Sequence, residues 1–350
     1  MTKQVKIGKI NIGGGNQIAI QSMTNTPTQD IDKTVQQILD LEKAGCDIVR
    51  VAVLDKKDAK AISDIKLCIH IPLVADIHFD YLLALEAIKN GADKIRINPS
   101  NIGSEEKVLK IIDCAKSYQT SMRIGVNSGS IDKVFLKKYP DKTDALVNSL
   151  LSEVAFFEKN AFDNLVLSIK SSSVKETVEA NRIISKLTSY PLHIGVTEAG
   201  VPEIGLIKNS IGIGSLLLEG IGDTLRVSLT CNPIEEVYAA KKILTACEKP
   251  IKGINFISCP TCGRCQVDMV KYASLIYEKI KNINTKMTVA VMGCAVNGPG
   301  EAQSADIGIA FGTDKALLFK NGKIVCSLPL ENIVDTFVNT VFDTALSLTK

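Results

Sequence analysis

LVADIHFDYLLALEAIKNGADKIRINP, residues 73–99, reads as an apolar run, an amphipathic helical stretch and a second apolar run. The same unit recurs on both sides of it. Apolar, β-branched runs stand at IAIQSM (18–23), IVRVAV (48–53), LVADIH (73–78) and KIRINP (94–99). They continue at MRIGVN (122–127), LVLSIK (165–170), HIGVTE (193–198) and LRVSLT (225–230). Helical stretches separate them. IDKTVQQILDLEKA (31–44) has Gly45 placed to end it, and EEKVLKIIDCAKSY (105–118) follows Ser104 as an N-cap, with Glu105 and Glu106 in its first turn. Strand–helix units repeated eight times predict a TIM (β/α)8 barrel over residues 1–248, a fold that takes about 250 residues. A doubly wound open sheet is the competing arrangement, but no GxGxxG follows the first strand.

KPIKG (249–253) breaks the helical pattern and reads as a linker. Residues 249–350 predict a small α+β domain. Its order is a strand at INFIS (254–258), a cysteine turn, a helix over 267–281 and a strand at TVAVMG (288–293). Short strands near 306–311, 316–320 and 323–327 and a closing helix from about 330 complete it.

The bulk composition narrows the function classes. A formal charge of +3 gives no reason to invoke nucleic acid or an anionic membrane. No apolar run reaches the roughly 18 residues that span a bilayer. The start MTKQVKIGKI has no apolar h-region, so no signal peptide is expected. The 10 cysteines are diluted through 350 residues, which points to reduced thiols in a cytoplasmic protein rather than disulfides.

Strands inside a parallel barrel should be almost wholly apolar. Here charged and polar residues gather at their C-terminal ends: Arg50, Asp76 with His78, Arg96 with Asn98, Arg123 with Asn127, then Lys170 and Glu198. That rim is where barrels build active sites, and converging guanidinium groups match a diphosphate. A salt bridge from Asp76 to an arginine is the bland reading for part of this set. Glu198 would repel a phosphate unless it had separate work, so general acid–base chemistry is its natural role. Pairing with Lys170 is the structural alternative. The glycine-rich run 211–230 carries no nucleotide fingerprint and reads as loop, and Gly13–Gly15 read as a turn or hairpin. Cys46, Cys68, Cys114, Cys231, Cys247 and Cys326 read as buried small hydrophobes, and His70 and His193 as packing residues.

Thiols gather in one place only. SCPTCGRC (258–265) holds a CxxC pair, Cys259 and Cys262, and MGCAVNGPGE (292–301) adds Cys294 and Glu301. Three thiolates and a carboxylate would leave one weakly held position, which suits a catalytic cluster better than an electron wire. Structural zinc usually takes a second CxxC or a His pair, and neither is present; CxxxCxxC is absent too. Cys265 extends the motif to CxxCxxC, so a four-cysteine site with Cys294 competes. Against it, Cys265 runs into the helical stretch and is expected to point away.

IQSMTNTPTQD, RVAV, LVADIHFD, KIRINP, RIGVNSGS, TEAG, CPTCGR and GCAVNGPGEA, in this order, resemble the bacterial 4-hydroxy-3-methylbut-2-enyl-diphosphate synthase family. The resemblance implies a TIM barrel joined to a small 4Fe–4S domain with Cys259, Cys262, Cys294 and Glu301 as ligands. It implies substrate binding by Arg50, His78, Arg96, Asn98, Arg123, Asn127, Lys170 and Ser228, with Glu198 as the catalytic carboxylate. The implied reaction is reductive opening of 2-C-methyl-D-erythritol 2,4-cyclodiphosphate in the non-mevalonate isoprenoid pathway, fed by flavodoxin or ferredoxin. A homodimer is implied too, the barrel of one subunit meeting the cluster domain of its partner. Cys265 departs from the family pattern, which requires no thiol there. Two readings from other classes are a pterin-binding methyltransferase-type barrel with a structural metal domain, and an electron-transfer module, which would not need the cationic rim.

Overall fold

The computed structural model describes residues 1–129, 131–294 and 302–348. The chain divides into two compact units, Met1–Ile243 and Leu244–Lys350.

The first unit opens with an antiparallel hairpin, β1 (Val5–Ile7) and β2 (Ile10–Ile12). Eight parallel strands follow: β3 (Ala19–Met23), β4 (Ile48–Ala52), β5 (Leu73–Asp76), β6 (Lys94–Ile97), β7 (Ser121–Asn127), β8 (Leu165–Lys170), β9 (His193–Ile194) and β10 (Thr224–Leu225). Strands β3 to β8 pair in chain order, and β10 pairs with both β9 and β3. A parallel bridge between Leu167 and Leu192 links β8 to the start of β9, so the sheet closes into the expected (β/α)8 barrel. Each strand falls within or one residue ahead of one of the β-branched runs.

Local chemistry sets the helix ends. Asp30 caps the helix Ile31–Ala44 by accepting from the Lys33 N–H, and Gly45, at φ +94°, ends it. Ser104 precedes the helix Glu105–Tyr118 in extended conformation, but its hydroxyl makes no capping bond. The run 211–230 departs from the loop expected of it: residues up to Leu218 belong to the helix Pro202–Leu218. A Cβ on Gly212 would lie 2.6 Å from a Val196 methyl. This glycine therefore serves close helix packing and not a phosphate loop.

Val5, Ile7 and Ile12 of the hairpin pack on Ala19, Ile48, Val74 and Val166 near the N-terminal ends of β3, β4, β5 and β8. Full burial of each large apolar side chain contributes roughly 1.5–3 kcal/mol. This apolar floor closes one mouth of the barrel and leaves the C-terminal mouth for chemistry.

The second unit carries a five-stranded sheet in chain order: β11 (Ile254–Ser258), β12 (Met287–Met292), β13 (Ile307–Phe311), β14 (Lys315–Lys320) and β15 (Lys323–Pro329). The first three are parallel and the last two antiparallel to their neighbours. Alternation decides the faces. Val289 and Val291 pack with Ile276, Ile280, Phe337 and Val341 of the helices Met269–Ile280 and Ile333–Leu348. Ala290 and Met292 face the other way, against Ala302, Ala310 and Phe319. Because β11 and β12 are adjacent and parallel, both deliver their C-terminal loops to one edge of the sheet.

Several isolated residues differ from expectation. Cys46 and Cys247 are buried, but Cys68 and Cys326 are exposed and Cys114 and Cys231 half-buried. Cys68 ends the helix Lys56–Cys68, and Cys326 lies on the largely exposed β15, which among the described residues pairs only with β14. His193 is fully buried, whereas His70 is exposed and shares a hydrogen bond with Glu42 at 2.9 Å.

Candidate active site

The C-terminal ends of the barrel strands surround a cavity of about 300 Å³. Arg50, Asp76, His78, Arg96, Arg123, Asn127, Lys170 and Ser228 line it, together with Met23, Gly125, Ser168, Thr197 and Arg226. Strand register levels the charges: Asp76 pairs in register with Arg96, and Arg96 with Arg123.

Asp76 organises one side. Its Oδ1 accepts from Arg96 Nη1 at 3.2 Å, its Oδ2 accepts from His78 Nε2 at 3.2 Å, and Arg50 Nε stands 3.7 Å away. Burial by itself would raise this carboxyl. The Arg50 charge, the His78 hydrogen bond and the Arg96 charge outweigh it and hold Asp76 well below the usual carboxylate range. A second pair forms where Glu236 meets Arg226 Nε at 3.2 Å and also accepts from the Leu229 N–H. Five cations thus face two carboxylates, and the excess falls on Arg123 and Lys170. Arg123 is buried with Nε and Nη1 lacking any partner, and Lys170 forms no ion pair among the described residues. Burial first, and then the neighbouring guanidinium groups, push both well below their ordinary values. The lining therefore carries a net positive charge.

Asp76→Asn should destabilise the fold by about 3 kcal/mol, because it strips the carboxylate from buried cations. The sign of the pH effect follows from the depressed carboxyl. Its contribution is present above the unfolded value of about 3.9 and is lost as pH falls toward the folded one. Denaturant midpoints measured against pH should therefore show an acid-labile component in the native protein that Asp76→Asn lacks.

Two expected residues stand apart from the lining. Asn98 is buried at the N-cap of the short helix Pro99–Ile102. Glu198 is exposed, directly follows Thr197, and makes no ion pair with Lys170. Its backbone sits at φ +52°, a left-handed conformation that costs a non-glycine residue about 1 kcal/mol. The sequence reading passed over Arg226, although it lies two residues before Ser228 and shares its face by the period of two. Met23, Ser168 and Thr197 carry no signature that would have marked them.

In the second unit, Cys259 follows β11 directly and Cys294 comes two residues after β12. The Gly293 N–H donates to Cys259 Sγ at 3.0 Å. The Cys265 N–H donates to the Cys262 carbonyl at 3.0 Å, the Cys262 N–H to Cys265 Sγ at 3.5 Å, and the Gln266 N–H to the Gly293 carbonyl at 3.0 Å. These bonds tie the cysteine turn to the exit of β12. A Cβ on Gly293 would lie 2.8 Å from Cys265 Sγ and 3.4 Å from Cys259 Sγ, so the close approach of the two thiols requires glycine there. Burial pushes the Cys259 thiol up, as do Cys265, Cys294 and Cys262, against the Gly293 N–H. Hydrogen bonding from the Arg264 N–H leads the lowering at Cys262.

Cys265 therefore does not point away, because the helix begins only at Met269 and residue 265 still belongs to the turn. Glu301 lies outside the described residues. Among the described residues no three His, Cys, Asp or Glu side chains form a closed metal cage. The donor chemistry nevertheless fits an iron–sulfur centre, with soft thiols converging from two adjacent loops.

Comparison with known proteins covers both units. Residues 2–241 match the GcpE TIM-barrel domain and residues 255–343 the GcpE protein C-terminal domain. A 4-hydroxy-3-methylbut-2-en-1-yl diphosphate synthase (flavodoxin) of Caldicellulosiruptor saccharolyticus is 57% identical over 343 residues, spanning 98% of this chain and 99% of that protein. The synthase of the same description from Clostridium perfringens is 53% identical over 341 residues, spanning 97% and 98%. Among solved structures, dihydropteroate synthase from Stenotrophomonas maltophilia aligns over 71% of this chain and 98% of its own, with TM-score 0.53 and 13% identity. That likeness is of fold alone, so it gives the pterin alternative no support.

Proposed function

The chain belongs to the GcpE family and has its 4-hydroxy-3-methylbut-2-en-1-yl diphosphate synthase activity, and we propose how its residues divide that work. The substrate is 2-C-methyl-D-erythritol 2,4-cyclodiphosphate, opened and dehydrated with two electrons in the non-mevalonate isoprenoid pathway. The observation that carries the binding half is the arginine-lined cavity, in which Arg123 Nε and Nη1 have no hydrogen-bond partner and Lys170 forms no ion pair among the described residues. Arg50, Arg96 and His78 are held in place by Asp76, so their remaining donors are set before a ligand arrives. Asn127 and Ser228 line the cavity and supply neutral polar contacts, while Asn98, at the N-cap of the short helix after β6, supports that rim from outside the lining.

Cys259, Cys262, Cys294 and Glu301 would hold a 4Fe–4S cluster. Such a cluster supplies electrons one at a time. The donor is flavodoxin, the carrier in the names of the relatives, with ferredoxin as a substitute. The protein works as a cytoplasmic homodimer. No helix of the described residues is long and apolar enough to cross a membrane, and Ile204, Ile207 and Ile211 form an exposed apolar stripe on one helix face that supports self-association.

Glu198 is the acid–base group, moving a proton to or from the substrate oxygens at the rim. Its exposure leaves it free to exchange protons with solvent, and its strained backbone is the kind of cost that persists at functional positions. Glu198→Gln should lower kcat at least about a hundredfold with substrate affinity nearly unchanged. A fall in affinity with kcat retained would assign it to binding instead. The whole reading is tested by anaerobic purification with iron and sulfide counts, then assay for the allylic diphosphate. A colourless, zinc-bearing protein with no turnover would overturn it.

A further inference from the structure

Beneath the arginine cavity lies a tier of polar side chains that the binding scheme does not use. Lys94, two residues before Arg96 on β6, shares its inward face. It is fully buried, and its Nζ has no hydrogen-bond partner. Gln21, two residues before Met23, has neither side-chain polar atom satisfied, and His193 Nε2 is likewise unpartnered. Beside them stand Ile48, Val74 and Val166, which pack with the hairpin; Val74 is in register with Lys94 and Ile48 with Gln21.

The charges that face Lys94 all have the same sign. Arg123 on β7 and Arg50 on β4 act on it directly, and His193 on β9 feels it in turn; no carboxylate does. Counting Lys94, six cations (Arg50, Arg96, Arg123, Lys170 and Arg226 are the others) stand against Asp76 and Glu236. A guanidinium keeps its proton throughout the accessible pH range, so the repulsion has to be relieved at an amine or an imidazole. Lys170 reaches the cavity, where water and ligand can solvate it. Lys94 is sealed off from both, and an unpaired buried ammonium is the arrangement that neutralises instead.

We propose that Lys94 is the proton reservoir of the diphosphate pocket: it is an uncharged amine in the ligand-free barrel and takes up one proton when the diphosphate enters. The inference rests on reading the cavity as a diphosphate site. Burial first, then Arg123 and Arg50, set the ligand-free state by holding Lys94 well below its ordinary value. A diphosphate cancels the arginine field above it and reverses the second cause. Affinity should then rise as pH falls, with log K changing by about one per pH unit between the free and bound values of Lys94.

Calorimetric titration of the oxidised holoenzyme with the cyclodiphosphate, without electron donor and in buffers of different ionisation enthalpy, tests this. The native protein should take up about one proton per site at neutral pH. Lys94→Met and Lys94→Gln, both uncharged, should bind with the uptake lost. Lys170→Arg and His193→Asn should keep it, since a fixed charge at 170 or a lost imidazole leaves the Lys94 amine in place. Uptake that survives both Lys94 variants, or that vanishes in Lys170→Arg, overturns the proposal. Binding by the native protein with no uptake does so too, while leaving the diphosphate reading intact. No binding at all overturns both.

Discussion

Serine in place of Cys259, Cys262 or Cys294 should remove bound iron, acid-labile sulfide and turnover together, while Cys265→Ser keeps all three. A serine hydroxyl stays protonated where a thiol yields the soft thiolate that iron takes, so each replacement deletes a ligand outright. The effect should be largest at Cys259. Its sulfur meets the Gly293 N–H at 3.0 Å and has the other three cysteines as neighbours, so the turn and the β12 exit are organised around it. Cys265 is the discriminating position. It approaches the same glycine and, among the described residues, accepts a 3.5 Å hydrogen bond from the Cys262 N–H. If it were a permanent ligand, Cys265→Ser would lose more iron than Glu301→Ala, and the centre would be a four-thiolate electron carrier. The expected ranking is the reverse, with Glu301→Ala the more damaging. Iron and sulfide assays on anaerobically purified variants read this without relying on activity, and substrate titration checks that the barrel still binds. The barrel has its own floor and core, so its binding should survive loss of the cluster.

The barrel was legible because the constraint behind it is periodic. A strand packed on both faces must be apolar along its whole length, and the β-branched runs record that. The charged exceptions were legible for the same reason, since Arg50, Asp76, Arg96 and Arg123 break a rule that has few other reasons to break. What stayed hidden depends on neighbours distant in the chain. Arg226 was recoverable from Ser228 by the period of two, but Met23 lines the cavity only because β3 lies beside β4 and β10. The turn of Cys265 toward its neighbours depends on a helix start that the apolar pattern placed two residues early. Residues 211–218 looked like loop because glycines ordinarily weaken helices by about 1 kcal/mol each. Here close packing against Val196 favours glycine over alanine at position 212.

The same imbalance of charge explains why so much of the pocket is unsatisfied. Orphaned buried polar atoms are rare in folded proteins, and here Arg123, Lys94, His193 and Gln21 share one barrel interior. A site that is complementary to its ligand is incomplete without it. At Arg123, which lines the cavity, the stability given up should be recovered as affinity when a diphosphate supplies the acceptors, and Asp76 and Glu236 limit the repulsion among the cations.

Arg123→Ala isolates that trade in one residue. Its Nε and Nη1 have no protein acceptor, so the phosphate oxygens are the partners this guanidinium lacks. Losing a buried charge-assisted pair costs about 2–5 kcal/mol, which converts to a loss of affinity on the order of a thousandfold. The ligand-free protein should respond differently. Alanine leaves a cavity, but it also removes two unsatisfied donors and the repulsion that Arg50 and Arg96 exert on this position. The two effects oppose, and stability in denaturant should change by no more than about 1 kcal/mol. Arg96→Ala provides the contrast, because Arg96 Nη1 holds Asp76 at 3.2 Å and its loss should lower affinity and stability together. A folded Arg123→Ala protein that binds the cyclodiphosphate as tightly as the native one would remove the anion site from the proposed function. Destabilisation by Arg123→Ala as large as that by Asp76→Asn would instead make Arg123 a structural residue.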